Sequence, residues 1–281
     1  MSLYVASLNS GSNGNCYYIG NDTTAVLVDV GISAREIDKR MNRLGLSMQN
    51  VKAVFISHEH SDHITGLVAI SRKYSLPVYI TPATLQASRL PLNPELIRTF
   101  DEENPICIAD LQVRSFKKFH DAADPFSFVV SCNGVNAGIF TDIGKACEKV
   151  IRYFSFCHCV FLESNYCTDM LMKGTYPWML KKRISGGLGH LSNNEALDLF
   201  TRHRSGFLSH LFLSHLSKNN NRPELVESLF SGHAGETHII VASRYQETQV
   251  YHIKGTPVGI ATEITAGNAV RQPTVQQLSL F

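Results

Sequence analysis

The sequence predicts an α/β sandwich in which two β-sheets are covered by helices. Short runs rich in β-branched residues recur along the chain and have the lengths of strands. Helix-start signals lie between groups of these runs, as expected when helices cover packed sheets. At 281 residues the chain exceeds the usual single domain, but sandwiches of this size are commonly undivided.

The strand candidates are short apolar runs bounded by polar or turn-forming residues, and their density favours sheets. They are Ala25–Val30, Ala53–Ser57, Pro77–Ile80, Ser127–Val130, Ala137–Thr141, Val160–Glu163, Leu211–Ser214, Ile239–Ala242 and Val250–Ile253.

Three segments carry helix-start signals. Ser33 followed by Glu36, and Ser192 followed by Glu195, are capping boxes that precede apolar residues at helical spacing. Pro223 is placed to occupy the first turn of a third helix. From about residue 255 the periodicity is lost, which predicts one domain over 1–255 and a tail over 256–281.

Composition excludes several classes of function. With 26 Lys and Arg against 24 Asp and Glu, the net charge of +2 gives no whole-protein field for nucleic acid, so such binding would need a local patch. The first residues show no signal-peptide pattern, and no apolar run reaches the ~20 residues of a membrane span. Seven scattered cysteines are typical of reduced thiols, so we expect a cytoplasmic protein without a membrane segment.

A dense set of metal-ligand side chains follows the second strand candidate. The run His58-Glu59-His60-Ser61-Asp62-His63 begins where the apolar strand ends. In extended chain His58 and His60 point to the same side. Imidazole and carboxylate ligands together suit zinc, manganese or iron. The segment therefore predicts a metal site at the exposed end of a buried strand.

The same segment resembles the His-x-His-x-Asp-His signature of the metallo-β-lactamase superfamily. The earlier run from Val26 to Gly31 resembles the strand of that family that ends in Asp-x-Gly, whose aspartate, here Asp29, braces the metal loop. The resemblance implies an αββα sandwich and extends from about residue 4 to residue 253.

The resemblance also implies three further ligands and a division into two metal sites. His120, Asp142 and His215 each follow a strand candidate at the place where the family has a ligand. His210 competes with His215 but lies at the start of its strand. The implied sets are His58, His60 and His120 for one ion and Asp62, His63 and His215 for the other, with Asp142 as the bridge.

The catalytic prediction rests on two residues, the ligand Asp62 and His190. The run from Gly189 to Ser192 resembles the histidine motif of the tRNA-processing and phosphodiesterase branch of the superfamily, where this histidine faces the scissile phosphate. A position before a helix also places His190 beside free backbone N–H groups. His190 would then protonate the leaving oxygen.

Substrate contacts are expected from three segments near the mouth of the site. The turn Gly11–Cys16 is rich in glycine and polar residues, Glu163–Tyr166 ends a buried strand, and the basic run Lys181–Arg183 leads into the His190 loop. The residues predicted to bind substrate are Ser12, Asn13, Asn15, Asn165, Lys181, Lys182 and Arg183.

Taken together, these motifs resemble the YycJ (WalJ) group of stand-alone bacterial metallo-β-lactamase-fold proteins. That resemblance implies a two-metal 5′–3′ DNA exonuclease of DNA repair or replication. Three alternatives stay open. They are a phosphodiesterase acting on small cyclic or nucleotide esters, a tRNA-processing type of endoribonuclease, and a binding module that keeps its metals as structure.

The last five residues predict a partner. Gln277, Leu278, Ser279, Leu280 and Phe281 place three large apolar groups at the end of a polar segment, and exposed apolar groups of this kind mark binding sites. The peptide resembles the Gln-Leu-Ser/Asp-Leu-Phe motif that docks bacterial replication and repair proteins on the DNA sliding clamp. A segment that folds back on its own domain is the alternative.

Overall fold

Two seven-stranded sheets form the centre of the structure, a computed structural model that describes residues 2–258. The first sheet has the order β14 (Tyr251–Lys254), β1 (Ser2–Asn9), β2 (Cys16–Gly20), β3 (Ala25–Val28), β4 (Val51–Phe55), β5 (Val78–Tyr79) and β6 (Ile97–Arg98). The second has the order β13 (His238–Val241), β12 (His210–Ser214), β11 (Cys159–Glu163), β10 (Val135–Phe140), β9 (Phe126–Cys132), β8 (Leu111–Lys117) and β7 (Ile106–Ile108).

Helices cover the outer face of each sheet, so the layers follow the order α/β/β/α. The helices are α1 (Ala34–Arg43), α2 (Ser61–Ile64), α3 (Leu67–Tyr74), α4 (Pro82–Ser88), α5 (Glu148–Phe154), α6 (Thr168–Lys173), α7 (Trp178–Ser185), α8 (Asn193–His203) and α9 (Pro223–Ser231), with one 3₁₀ turn at Pro94–Leu96. One apolar cluster lies between the sheets, a second joins α5, α8 and α9 to the second sheet, and a third joins α1 and α3 to the first.

The predicted sandwich is confirmed, and the local signals explain parts of it. Ser192 and Glu195 form the complete capping box of α8, and Pro223 begins α9. At α1 only half of the predicted box forms. Ser33 accepts from the backbone N–H of Glu36, whereas the Glu36 carboxylate pairs with the Arg40 guanidinium at 2.9 Å.

The arrangement of the sheets brings the polar loops together. In the second sheet β10, β11, β12 and β13 run parallel, and in the first β3, β4, β5 and β6 run parallel. Side chains that follow the carboxyl ends of parallel strands meet at one edge of a sheet, the usual place for a site in open α/β folds.

Two predictions fall at the end of the described chain. The peptide Gln277–Phe281 lies outside residues 2–258, as does most of the segment assigned to a tail, so both stay predictions. Within the part that is described, none of the helices combines the length and the apolar character that a membrane crossing requires.

Candidate metal centre

The His58–His63 loop joins β4 to α2 and is held in place by the backbone. His60 is extended and caps α2, and the His63 N–H donates to the His60 carbonyl at 2.9 Å. The rings of His58 and His63 are buried. The loop thus turns the side chains of four predicted ligands towards the edge where the strands end.

Three histidines form a first group. His58 Nε2 lies 3.1 Å from His60 Nδ1, and His120 Nε2 lies 3.3 Å from the same atom. Their ring nitrogens all lie within 4.8 Å of one another. His120 reaches the other two histidines from the loop after β8. Its Nδ1 donates to the Gly189 carbonyl at 3.0 Å, which fixes the orientation of the ring.

Asp62, His63 and His215 form a second group with the same close spacing. His215 Nε2 lies 3.4 Å from Asp62 Oδ2, and His63 Nε2 lies 3.6 Å from it. Asp142 lies between the groups, with one oxygen 3.1 Å from His63 Nε2 and the other 3.8 Å from His120 Nε2. The structure therefore brings together all seven residues predicted as ligands.

The donor atoms fit divalent cations. Two nitrogens bound to one tetrahedral zinc at about 2.0–2.1 Å lie about 3.3–3.4 Å apart, close to the spacings in the first group. Asp142 Oδ2 is buried and, among the described residues, makes no aligned hydrogen bond. A buried carboxylate oxygen without an aligned hydrogen bond is costly, and a cation would satisfy it.

Asp29 braces the metal loop from below, as the resemblance implied. Its carboxylate accepts from the Ser57 N–H and hydroxyl at 2.8 Å each and lies 2.7 Å from His63 Nδ1. Asp29, Asp142 and His215 all have positive φ, between 52° and 58°. Such backbone is uncommon outside glycine and collects at functional sites, where the surrounding structure maintains it.

Glu163 is a central residue for which the sequence analysis predicts no separate role. It is fully buried at the end of β11, where Oε2 accepts from the Ile143 and Leu191 N–H groups and Oε1 lies 2.8 Å from both His190 Nδ1 and His215 Nδ1. Burial opposes ionisation, but the charges and hydrogen bonds of these histidines hold the pKa of Glu163 at about 2. The available signal was an acidic residue closing an otherwise apolar strand.

His190 lies at the wall of the cleft, with its ring partly exposed. Because Nδ1 is engaged by Glu163, Nε2 is the nitrogen left for the cleft. The centre of the His190 ring lies 5.4 Å from the centre of the His120 ring and 5.2 Å from that of the His215 ring. His190 also belongs to a further cluster of atoms that could bind a metal, together with Asp142, Glu163 and His215. A role as a metal ligand is therefore the alternative to a role as general acid.

An open cleft of about 190 Å³ gives access to these groups. Ser12 and Arg183 line it, and Arg183 Nε pairs with Asp121 Oδ2 at 2.5 Å. Lys181 and Lys182 lie on α7 outside the lining, where the Lys181 ammonium donates to the Met172 carbonyl.

The three predicted asparagines face protein groups. Asn15 donates to Asp62 Oδ2 at 3.2 Å, Asn165 donates to the His215 carbonyl at 2.8 Å, and Asn13 donates to the carbonyl of Arg244 at 2.9 Å. These contacts favour positioning roles over contact with substrate. Arg244, for which the sequence predicts no role, reaches the edge of the cleft, where its guanidinium donates to the Ser12 hydroxyl at 2.9 Å.

Comparison with known proteins agrees with this geometry. Residues 10–94 match the family model described as metallo-beta-lactamase superfamily. The chain is 32% identical to the exodeoxyribonuclease YycJ of Bacillus anthracis, over 94% of this chain and 95% of the relative. It is 30% identical to the exodeoxyribonuclease WalJ of Streptococcus pneumoniae, over 78% and 83%.

Solved structures share the fold at low identity. The metallo-beta-lactamase fold protein YhfI from Bacillus subtilis superposes with a TM-score of 0.69 at 15% identity, covering 90% of this chain and all of that one. The short form of human tRNase Z gives 0.60 at 16% identity, over 88% and 99%. With the identities to YycJ and WalJ, these findings show that the chain belongs to the metallo-β-lactamase superfamily of metal-dependent hydrolases, in the YycJ/WalJ group.

Proposed function

We propose that this protein is a dinuclear-metal phosphodiesterase that removes nucleotides from DNA ends in the 5′–3′ direction during repair or replication. The observation that carries the two-metal part is the pair of ligand groups with Asp142 between them. Zinc, manganese and iron all suit this donor set. Support for DNA comes from YycJ and WalJ, both named exodeoxyribonucleases.

Two divalent ions held by these two groups of ligands would lower the pKa of a water molecule and would stabilise the charge on the attacking and leaving oxygens. The protein supplies the proton for the leaving oxygen. His190 carries it on Nε2, and Glu163 stabilises the charged imidazole through Nδ1. Glu163 is ionised before this step, because the neighbouring histidines hold its pKa at about 2. Asn15 and Asn165 keep Asp62 and His215 oriented.

Helix α7 is the part of the surface best suited to grip DNA. None of its residues is buried, and Trp178 and Met179 are 67% and 74% exposed. Lys182 is exposed on the same helix, which has no acidic residue, while Leu180 and Arg183 face the cleft. Cationic and aromatic groups together bind the backbone and stack on the bases of single strands.

The function is tested with purified protein and end-labelled duplex DNA in the presence of manganese or zinc. We expect stepwise shortening from the 5′ end. No shortening with any metal or DNA end would rule out the exonuclease. Hydrolysis of bis-p-nitrophenyl phosphate without polymer cleavage would instead identify a small-ester phosphodiesterase. Cleavage of tRNA precursors alone would identify an endoribonuclease.

DNA binding at α7 has a direct readout because Trp178 is the only tryptophan of the chain. Its fluorescence should be quenched when a single-stranded oligonucleotide is added to metal-loaded protein. Lys182→Ala should weaken that titration, whereas Lys39→Ala, which removes an exposed lysine of α1, should leave it unchanged. An unchanged Trp178 signal during DNA cleavage would place the strand elsewhere.

The proposal also includes a protein partner and a cellular location. A sliding clamp bound through Gln277–Phe281 would raise the local concentration of the nuclease at DNA without a basic surface. Calorimetric titration of the clamp with intact protein and with a variant lacking these five residues tests it, and equal binding by both would remove it. A cytoplasmic location is supported by the seven cysteines, all unpaired.

A further inference from the structure

A second pocket lies beside the metal cleft and has no part in the chemistry described above. It has a volume of about 320 Å³, within the range of small-molecule sites. The segment after β12, the start of α9 and the segment after β13 form its walls. Leu216 of its lining directly follows His215 of the metal centre, so the two cavities share one loop.

The Arg244 side chain separates the two cavities. Its Nη2 atom donates to the Ser12 hydroxyl at 2.9 Å and to the Leu216 carbonyl at 3.3 Å. Ser12 lines the metal cleft, whereas Leu216 lines the second pocket. A ligand that contacts the Arg244 guanidinium is therefore within reach of both cavities.

Within residues 2–258, no carboxylate balances the charge of Arg244, although its side chain is half-buried. The nearby Glu247 pairs with Arg40 and Arg43 instead. Burial lowers the pKa of the Arg244 guanidinium, and only weaker effects of neighbouring tyrosines oppose it. A half-buried guanidinium without a carboxylate is a ready site for an external anion.

The turn after β1 is shaped around this arginine. A Cβ atom at Gly11 would lie 2.8 Å from Arg244 Nη2, and φ at Gly11 is +150°. Asn13 fixes the other end of the residue by donating to the Arg244 carbonyl. Gly11 belongs to the turn that the sequence predicts to contact substrate, and in the structure it makes room for the Arg244 guanidinium.

The rest of the pocket suits a nucleotide. Lys218 lines it and is exposed, Tyr245 is 71% exposed at its rim, and its lining contains no aspartate or glutamate. Guanidinium and ammonium groups recognise phosphate. An exposed aromatic ring offers a stacking surface to any base. The Ser217 hydroxyl in the lining accepts from Asn220 and keeps its proton for a ligand.

We propose that Arg244 binds a phosphate of the substrate strand next to the one at the metal centre, and that the pocket behind it holds the adjoining nucleotide, stacked on Tyr245. This inference rests on the proposed function, because it takes a nucleic-acid strand as the ligand. It assigns to Arg244, Lys218 and Tyr245 the recognition of the strand and leaves hydrolysis to the metal centre.

The test compares a substrate that has a second phosphate with one that lacks it. For Arg244→Ala we expect the KM for an oligonucleotide to rise about tenfold or more, as for loss of a charged hydrogen bond. Its kcat/KM for bis-p-nitrophenyl phosphate should stay within about twofold, because that ester reaches only the metal centre. Arg244→Lys should recover part of the loss, and Arg152→Ala, which removes an exposed arginine of α5, should change neither substrate.

Three measurements separate the outcomes. Lys218→Ala and Tyr245→Ala alter exposed side chains, so they test the pocket even if Arg244→Ala folds poorly. Equal losses on both substrates, or no loss on either, would overturn the proposal. Calorimetric titration with a nucleoside monophosphate should show binding that Arg244→Ala abolishes. If that binding is found in a protein that does not cleave DNA, the pocket stands and the nuclease assignment fails.

Discussion

Histidines lie at both edges of the second sheet, but the two edges surround them differently. At the carboxyl edge burial opposes protonation of His215, yet Asp142, Asp62 and Glu163 raise its pKa to about 10. At the amino edge burial and the neighbouring His238 lower the pKa of His210 to about 4. The same side chain is therefore driven towards opposite charge states at the two ends of one strand.

This difference shows that the buried carboxylates, rather than the histidines, distinguish the edge of the sheet that carries the candidate site. Buried negative charges concentrated at one edge are stable only with cations near them, and divalent metals supply these. The amino edge holds neutral imidazoles that are satisfied by ordinary partners. His158, for example, accepts from the Asn136 N–H and donates to the Thr256 carbonyl. Four predictions test this contrast, from the largest expected effect to the smallest.

Asp142→Asn should have the largest effect. The change keeps a side chain that tolerates positive φ but removes the charge between the two ligand groups. We expect activity to fall to background and metal content to drop below that of the unaltered protein, as measured by elemental analysis with the DNA-end assay. If metal content and activity both persist, Asp142 does not join the two sites.

His190→Ala should slow turnover by about 10²–10⁴-fold, the usual contribution of a general acid. Metal content should stay the same, because His190 Nδ1 is engaged by Glu163. Steady-state kinetics and elemental analysis on the same preparation check both points. A parallel fall in metal content would show that His190 is a metal ligand, as its cluster with Asp142, Glu163 and His215 allows.

Asp29→Asn should reduce metal affinity or activity about 10–100-fold, the usual loss when a group behind a ligand is changed. The amide cannot accept from the Ser57 N–H, the Ser57 hydroxyl and His63 together, so the metal loop loses part of its support. Competition with a metal chelator measures the affinity. Asp22→Asn, at a position remote from the loop, is the control, and equal affinities would contradict the bracing role.

The smallest effect belongs to the amino edge. Because the folded pKa of His210 lies below its usual value, unfolded chains bind more protons as pH falls from about 6.5 to about 4. Stability is lost over that window, on the order of 1 kcal/mol after discounting for partial exposure. His210→Gln should reduce the slope of the free energy of unfolding against pH, and His233→Gln should not. Identical slopes would show that His210 is not held neutral.

The sandwich fold and the cluster of candidate metal ligands can be predicted from the sequence, because both depend on patterns of residues that are close together in the chain. The six consecutive residues from His58 to His63 contain four of the predicted ligands, and β4 and β12 are mostly apolar runs that end close to predicted ligands. In strand β8 buried and half-buried residues alternate over the first four positions, which is a local pattern typical of a strand.

Other features could not be read from the sequence, because they arise from long-range contacts. Arg244 and Ser12 are 232 residues apart, and only the closing of the two sheets brings them together. Glu163 meets His215 because β11 pairs with β12, and it meets His190 because the loop before α8 returns to the end of β11. Strands β5 and β6 have two residues each, too few to show a period.

The path of the chain after β14 has a consequence for where a partner can attach. The Val258 N–H donates to the Gly134 carbonyl at 2.9 Å, and the Thr256 carbonyl accepts from His158, so the described chain ends at the amino edge of the second sheet. The metal cleft opens at the carboxyl edge. A partner attached to residues beyond Val258 would start from the side of the molecule away from the cleft. If the proposed contact of Gln277–Phe281 with the sliding clamp is correct, its point of departure from the described chain does not block the cleft.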